Sequence, residues 1–277
     1  MVRRSFPIPK ENAMAHLSAT LNVMITAARE AGKSLRRDFY EVEALQVSRK
    51  GAADFVSAAD LRAEEIIYQS LSRSRPKFGF LMEERGEVEG SDNSNRFIVD
   101  PLDGTTNFLH SLPHCSVSIG LERDRQPYAG VVYNPITDDL FYAEKGEGAY
   151  HNDTRIRVSN KKDLTECLFG CGLPYKGKLN CGPVLDEIDR VTKETAGARR
   201  MGSAALDLAY VAKGRFDAYW ERGINAWDVT AGIVLVREAG GMVCHLDGTD
   251  DKPHLTGSVL ATNGELQDVA RKIILGR

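Results

Sequence analysis

No segment of this sequence approaches the roughly 20 consecutive apolar residues that a membrane-spanning helix needs. The opening residues, MVRRSFPIPKENAMAHL, are basic but contain no apolar run of the kind that drives secretion. Cysteine is sparse: five residues, at positions 115, 167, 171, 181 and 244, odd in number and without a C-x-x-C pair. Cys167 and Cys171 lie four apart, but no second Cys/His pair follows at zinc-site spacing. Neither a disulfide framework nor a structural zinc site is indicated, and dispersed thiols of this kind point to a reduced, cytoplasmic protein. Charge of one sign is lacking too. A net charge of −3 and an isoelectric point near 6.1 leave no basic field for nucleic acid or a membrane surface, so neither is expected as a direct partner. An anionic substrate on such a chain must be attracted locally, and a bound cation is the simplest means.

The composition that remains is that of an ordinary globular protein, 42% hydrophobic and 27% charged over 277 residues. There are no internal repeats, low-complexity tracts or long linkers. The reading is a loose tail over residues 1–14 and a single domain over 15–277, with halves at about 15–160 and 161–277. Apolar residues recur at helical spacing from Ala15 to Glu43 (Leu17, Leu21, Met24, Ala28, Ala31, Leu35) and from Ala58 to Ser72. Phe78 to Met82 and Arg96 to Val99 read as buried strands, and 115–122 with 128–133 as an antiparallel hairpin around a charged tip. In the second half, strands are expected at 167–170, 216–220 and near Val259. Helices are expected at 184–195, 204–212, 227–239 and 264–274. Helices that cluster in sequence, instead of alternating with strands, fit an α+β layered sandwich better than a doubly wound parallel sheet.

The most informative stretch is Asp100-Pro101-Leu102-Asp103-Gly104-Thr105-Thr106-Asn107-Phe108. Two carboxylates three apart come off a strand end, with a proline fixing the backbone direction between them. Gly104-Thr105-Thr106 opens a short helix whose first N–H groups suit an anion such as phosphate. A lone D-x-x-D is more often an acidic turn with an N-capping Asp. Here it has company: Glu83-Glu84 closes the strand at 78–82, and Trp227-Asp228 opens a helix. Taken singly, Glu83 and Asp228 have equally plain structural readings. Together, four carboxylates in one pocket would repel strongly unless divalent cations neutralised them. All-oxygen ligation favours magnesium, manganese or calcium over zinc.

The segments DPLDGTTNFLH at 100–110, MEE at 82–84 and WDVTAG at 227–232 resemble the inositol monophosphatase family, in its order and spacing. The resemblance covers roughly residues 15–270, and RRMGSAALDLAYVAKGRFDAYWE at 199–221 is similar to the bacterial SuhB-type members. Two positions depart from the pattern: Met82, where a small residue is usual, and Thr230, where alanine is usual. The resemblance implies an αβαβα sandwich shared with fructose-1,6-bisphosphatases. It also implies a homodimer and hydrolysis of a small polyol phosphate monoester with two to three Mg²⁺, Mn²⁺ being an alternative.

Residue by residue, the resemblance assigns a first ion to Glu83, Asp100 and the Leu102 carbonyl. A second falls to Asp100, Asp103 and Asp228, and a third, weakly held, lies near Glu83. Thr105, backed by Asp60, orients and deprotonates the attacking water. Asp103, Gly104, Thr105 and Asp228 face the substrate phosphate. Gly202 and Ala204 present backbone groups to the ring, Glu221 accepts its hydroxyl hydrogen bonds, and Arg199 approaches the substrate. Lys50 adds positive charge near the ions, and sensitivity to lithium follows from the ion set. His110 and His114 receive no ligating role. Fructose-1,6-bisphosphate or mixed sugar-phosphate specificity is the alternative within the class. A regulatory role with RNA polymerase and antitermination factors, implied by the SuhB likeness, is the alternative outside it.

Overall fold

The computed structural model describes residues 17–41, 47–50, 54–173, 181–248 and 252–277. The expected N-terminal tail therefore lies outside the described residues, as does the side chain of Lys50. Helix α1 (Ala19–Tyr40) starts where Ser18 caps it, its hydroxyl accepting the Leu21 N–H at 3.1 Å. Its buried face carries Leu21, Met24, Ala28, Ala31 and Leu35 of the periodic set read from the sequence, while Leu17 precedes the helix and is half-buried. A small hairpin, β1 (Val47–Lys50) and β2 (Asp54–Ser57), leads into helix α2 (Ala58–Ser74), which packs against α1.

Strands β3 (Phe78–Met82), β4 (Gly86–Val88) and β5 (Asp92–Asp103) follow, then the one-turn helix α3 (Thr105–Leu109). A meander completes the first half: β6 (Ser116–Arg123), β7 (Gln126–Asn134), β8 (Asp139–Glu144), β9 (Gly148–His151) and β10 (Thr154–Ile156). These form an eight-stranded sheet in the order β10-β9-β8-β7-β6-β5-β3-β4, antiparallel except where β3 runs parallel to β5.

The second half contributes β11 (Leu168–Cys171), α4 (Gly182–Glu194), β12 (Gly197–Arg199), α5 (Ala204–Ala212), β13 (Ala218–Arg222), α6 (Ala226–Glu238), β14 (Met242–Cys244), β15 (Ser258–Thr262) and α7 (Gln267–Leu275). Its five-stranded sheet has the order β12-β11-β13-β15-β14. The layers stack as α1/α2, the large sheet, α5/α6, the small sheet, and α4/α7. A separate apolar core fills each of three zones: under α1/α2, around α5/α6, and under α4/α7. The expected αβαβα sandwich is the fold observed.

The middle layer sets the site. Gly120 on β6 and Gly130 on β7 face each other in the ladder. A Cβ at Gly120 would meet the Thr230 methyl at 2.5 Å, and one at Gly130 the Ala231 carbonyl at 2.4 Å. Two glycines thus let α6 press against the large sheet, and this fixes the helix start that carries Asp228. Thr230 itself is buried, its hydroxyl donating to the Ala226 carbonyl at 2.7 Å, so it is accommodated within the helix. Met82 is fully buried in the first core, and the Glu83 N–H still bonds the Val99 carbonyl at 3.2 Å.

The strand expected at 96–99 is longer than its apolar run, because β5 continues through Asp100 and Pro101 to Asp103. Its pairing with β6 is regular to Asp100–Ser118 and resumes only at Asp103–Ser116. Strands β1, β2, β4, β8, β9, β10, β12 and β14 have no counterpart in the sequence reading. The expected helix at 15–43 is described as Ala19–Tyr40, with both outer ends falling on residues outside the described set.

Candidate active site

Six elements deliver side chains to one cavity of about 230 Å³. The end of β3 supplies Glu83, the end of β5 supplies Asp100, Leu102 and Asp103, and the turn into α3 supplies Gly104 and Thr105. The start of α5 brings Gly202 and Ala204, β13 brings Glu221, and the first turn of α6 brings Asp228. Asp60, at the start of α2, stands behind Thr105. Gly104 adopts φ of 90°, and a Cβ there would lie 2.9 Å from the His114 carbonyl, so glycine is required at this turn.

Each central aspartate is anchored through one oxygen. Asp100 Oδ1 accepts the Leu102 N–H at 2.9 Å. Asp103 Oδ2 accepts the Ser203 hydroxyl at 2.6 Å and the Ala205 N–H at 2.8 Å, so the α5 N-terminus holds it, with the Ala204 amide adding to the same hold. Asp228 Oδ2 accepts the Asn225 N–H at 2.7 Å, the reciprocal half of a capping box. The Glu83 turn is held from α2, where buried Glu64 accepts the Glu84 N–H at 2.9 Å. The Thr105 hydroxyl lies 3.1 Å from the Leu102 carbonyl and 3.4 Å from Asp60 Oδ2.

The electrostatics are those of crowded like charges. Burial first, then the charges of Glu83, Asp103, Asp228 and Asp60, hold Asp100 well above the ordinary carboxylate range. Asp228 is raised by burial and by Asp103, and Asp60 by burial and by Glu83 and Glu84. Asp103 is raised by burial against the opposing pull of its Ser203 and Ala205 donors. Glu83 is pushed up to about 7 by burial first and by the charges of Glu84 and Asp103, against its hydrogen bond with Asp100.

Among the described residues, no three His, Cys, Asp or Glu side chains already close on one point as a finished cage. The donor set nevertheless fits hard divalent cations: acidic oxygens and a carbonyl, gathered at an energetic cost that positive charge would relieve. Asp100 and Glu83 also share a side-chain hydrogen bond, a contact between two acids that a cation would replace.

The cavity brings together all the expected site residues except Asp60, which backs it, and Arg199. Arg199 is exposed and spends a guanidinium N–H on the adjacent Ala198 carbonyl at 2.9 Å; its neighbour Arg200 lines the cavity instead. Arg199 ends β12, whereas Arg200 begins the connection into α5. Glu221 accepts a hydrogen bond from buried Tyr219 and lies hard against Gly172, where a Cβ would overlap it. His110 is exposed, whereas buried His114 pairs Nε2 with Asp207 Oδ1 at 3.0 Å.

Asp207, Tyr219, Ser203 and Arg200 also face or brace the cavity and were not singled out from the sequence. For Asp207 a signal existed: it is the one acid in the apolar helix AALDLAYVA, and burial pushes it up to about 6.

Residues 16–274 match the sequence profile of the "Inositol monophosphatase family". The chain is 54% identical to "Inositol-1-monophosphatase" of Mesorhizobium japonicum, covering 93% of this chain and 96% of that one. It is 41% identical to "Nus factor SuhB" of Escherichia coli K12, covering 88% and 91%. The crystal structure of extragenic suppressor protein SuhB from Bartonella henselae superposes with a TM-score of 0.89 at 50% identity, covering 93% and 98%. Fold and sequence agree, and the chain belongs to the inositol monophosphatase family.

Proposed function

We propose that this protein hydrolyses phosphate monoesters of small polyols, myo-inositol monophosphate foremost, with Mg²⁺ held by Glu83, Asp100, the Leu102 carbonyl, Asp103 and Asp228. The observation that carries the reading is the ring of acidic side chains, three of them held by backbone N–H groups, sharing one cavity with Glu221. When bound, Mg²⁺ would supply an acidified water and charge compensation for the departing alkoxide.

The chain's own groups do the rest. A hydroxyl carries one proton and serves one acceptor at a time. Were a cation to engage the Leu102 carbonyl, the Thr105 hydroxyl would donate to Asp60 and turn its lone pairs toward the water it orients. Asp60, raised by burial and by the charges of Glu83 and Glu84, is the acceptor behind that hydroxyl. Gly104 and Thr105 receive the phosphate, and Gly202 and Ala204 border the ring. Glu221, steered by Tyr219, accepts from ring hydroxyls. Arg200 takes the cationic place first expected of Arg199.

A homodimer and lithium sensitivity belong to the same proposal and rest on family likeness; a cytoplasmic location belongs to it too and rests on the dispersed cysteines. The deciding experiment is phosphate release with Mg²⁺ across myo-inositol 1-phosphate, fructose 1,6-bisphosphate, 3′-phosphoadenosine 5′-phosphate and histidinol phosphate. The inositol ester should be turned over fastest; equal or faster release from fructose 1,6-bisphosphate would replace the proposed specificity. The 41% identity to a protein named a Nus factor supports a second role with the transcription machinery, tested by co-purification of RNA polymerase subunits.

A further inference from the structure

One buried acid of the cavity has no part in holding ions or in orienting the attacking water. Asp207 sits in the first turn of α5, 1% exposed in an otherwise apolar helix, and lines the cavity. A carboxylate so placed is costly to bury, and its partners decide what offsets the cost.

An acid in the first turn of a helix ordinarily accepts from the free N–H groups there. On α5 those donors are taken. Ala205 gives its N–H to Asp103 at 2.8 Å, and the Ala204 amide supports the same carboxylate. Asp207 turns instead to His114, its Oδ1 lying 3.0 Å from Nε2, and the His114 ring meets Tyr210 edge-on at 5.6 Å. Burial pushes Asp207 up to about 6, so at pH 8 it is ionised. A carboxylate only accepts, so Nε2 carries the proton and the imidazole orients the acid. Asp207 Oδ2 meets no donor among the described residues.

The charge of Asp207 is felt by Cys171, Tyr219 and Glu221, all in the cavity wall, which places its carboxylate on the cavity side of α5, where the helix packs on β13. Glu221 repeats the pattern. Its Oε2 accepts the Tyr219 hydroxyl, and its Oε1 meets no donor among the described residues. Arg200, in the same wall, acts to lower both acids. Positive charge is thus already supplied to the pair, and what the wall lacks is hydrogen-bond donors.

We propose that Asp207 is a second acceptor for the substrate's ring hydroxyls, taking through Oδ2 a hydroxyl that Glu221 does not, with His114 as its positioning residue. This acceptor rests on the cavity being a polyol phosphate site, and it narrows the substrate class. The ring must offer two hydroxyls, on different carbons, to two carboxylates. An ester lacking one of them leaves a buried carboxylate oxygen bare, and the site discriminates against it.

The test is a cycle of substrate and side chain on the full chain, at saturating Mg²⁺ and pH 8. It compares kcat/KM for myo-inositol 1-phosphate, each of its monodeoxy analogues and an aryl phosphate. Asp207→Asn keeps an amide oxygen for His114 Nε2 and puts an NH₂ where Oδ2 stood. Wild type should lose about 10–100-fold when the hydroxyl facing Asp207 is removed, the worth of one hydrogen bond to a charged group. In Asp207→Asn the same removal should cost little, while removal of the hydroxyl facing Glu221 should cost what it costs wild type. Aryl phosphate turnover should fall less than that of the inositol ester, whereas a mere brace would lower every ester alike. If Asp207→Asn melts early, His114→Phe carries the test. It keeps a ring against Tyr210, removes the donor that orients Asp207, and should blunt discrimination at the same hydroxyl. Wild type that prefers the inositol ester, with no hydroxyl coupled to either variant, would overturn the second acceptor alone. Wild type that hydrolyses the aryl phosphate but no polyol ester would remove the polyol site and this acceptor with it.

Discussion

Glu221 tests the link between electrostatic strain and substrate choice, because one substitution should move stability and activity in opposite directions. Its carboxyl is raised from 4.5 to about 7, mainly by desolvation, against the stabilising hydrogen bond from Tyr219. A carboxyl raised on folding adds stability below its unfolded value and loses it as pH rises through the folded one. Wild type should therefore lose the contribution of Glu221 between about pH 4.5 and pH 7 and carry a charged, poorly solvated group above that. The full penalty corresponds to about 3 kcal/mol, and solvent in the cavity reduces it to about 2–3 kcal/mol. For a chain of this size, unfolding entropy is about 0.6 kcal/mol/K, so Glu221→Gln should raise Tm by about 3–5 °C at pH 8. At pH 5 it should change Tm little. The same variant loses acceptor capacity toward ring hydroxyls, so kcat/KM for inositol monophosphate should fall more than for a simple aryl phosphate. Thermal melts at the two pH values and kinetics on the two substrates read both effects. Equal losses on both esters, or a Tm at pH 8 that does not rise, would refute the reasoning.

Thr105→Ala should lower kcat by about 10²-fold with little change in KM, since the hydroxyl acts on the nucleophile and not on bound phosphate. A variant losing only affinity would make Thr105 a phosphate contact. Chelating Mg²⁺ should lower stability more at pH 8 than at pH 5, by about 3 kcal/mol where the ion stood at 100 times Kd, because cations relieve repulsion only among ionised carboxylates. Calorimetry showing no such pH dependence would separate the ions from the acidic ring. Lithium should inhibit uncompetitively with respect to substrate, less so in excess Mg²⁺; purely competitive kinetics would count against ion exchange after chemistry.

The site was legible where it is local. Asp100, Leu102, Asp103, Gly104 and Thr105 lie in one run, and their chemistry can be read as a unit. The long helices and the β6–β7 hairpin declared themselves through burial period and a charged tip. The sequence says little where burial is two-sided or partners are distant. Strands β9 and β10 are three or four residues long and lack a period to detect. The hold on Asp103 comes from Ser203 and Ala205, about a hundred residues away, and that on Glu84 from Glu64 across a helix and a strand. Arg200 and Arg199 are indistinguishable until the backbone decides which faces the cavity. The His114–Asp207 contact joins two separated elements and has no motif at all.

The central claim is that acidic oxygens around the cavity hold the ions that make this chain a phosphatase. The most direct measurement is phosphate release from myo-inositol 1-phosphate at saturating Mg²⁺, for wild type and for Asp228→Asn. Asp228 is anchored by Asn225 at the start of α6, and an amide there preserves shape while removing a charge. Wild type should be active and lose activity on chelation. Asp228→Asn should fold, melt no lower than wild type without metal, and lose nearly all turnover. Full activity of Asp228→Asn at ordinary magnesium, or wild-type turnover surviving chelation, would contradict the account.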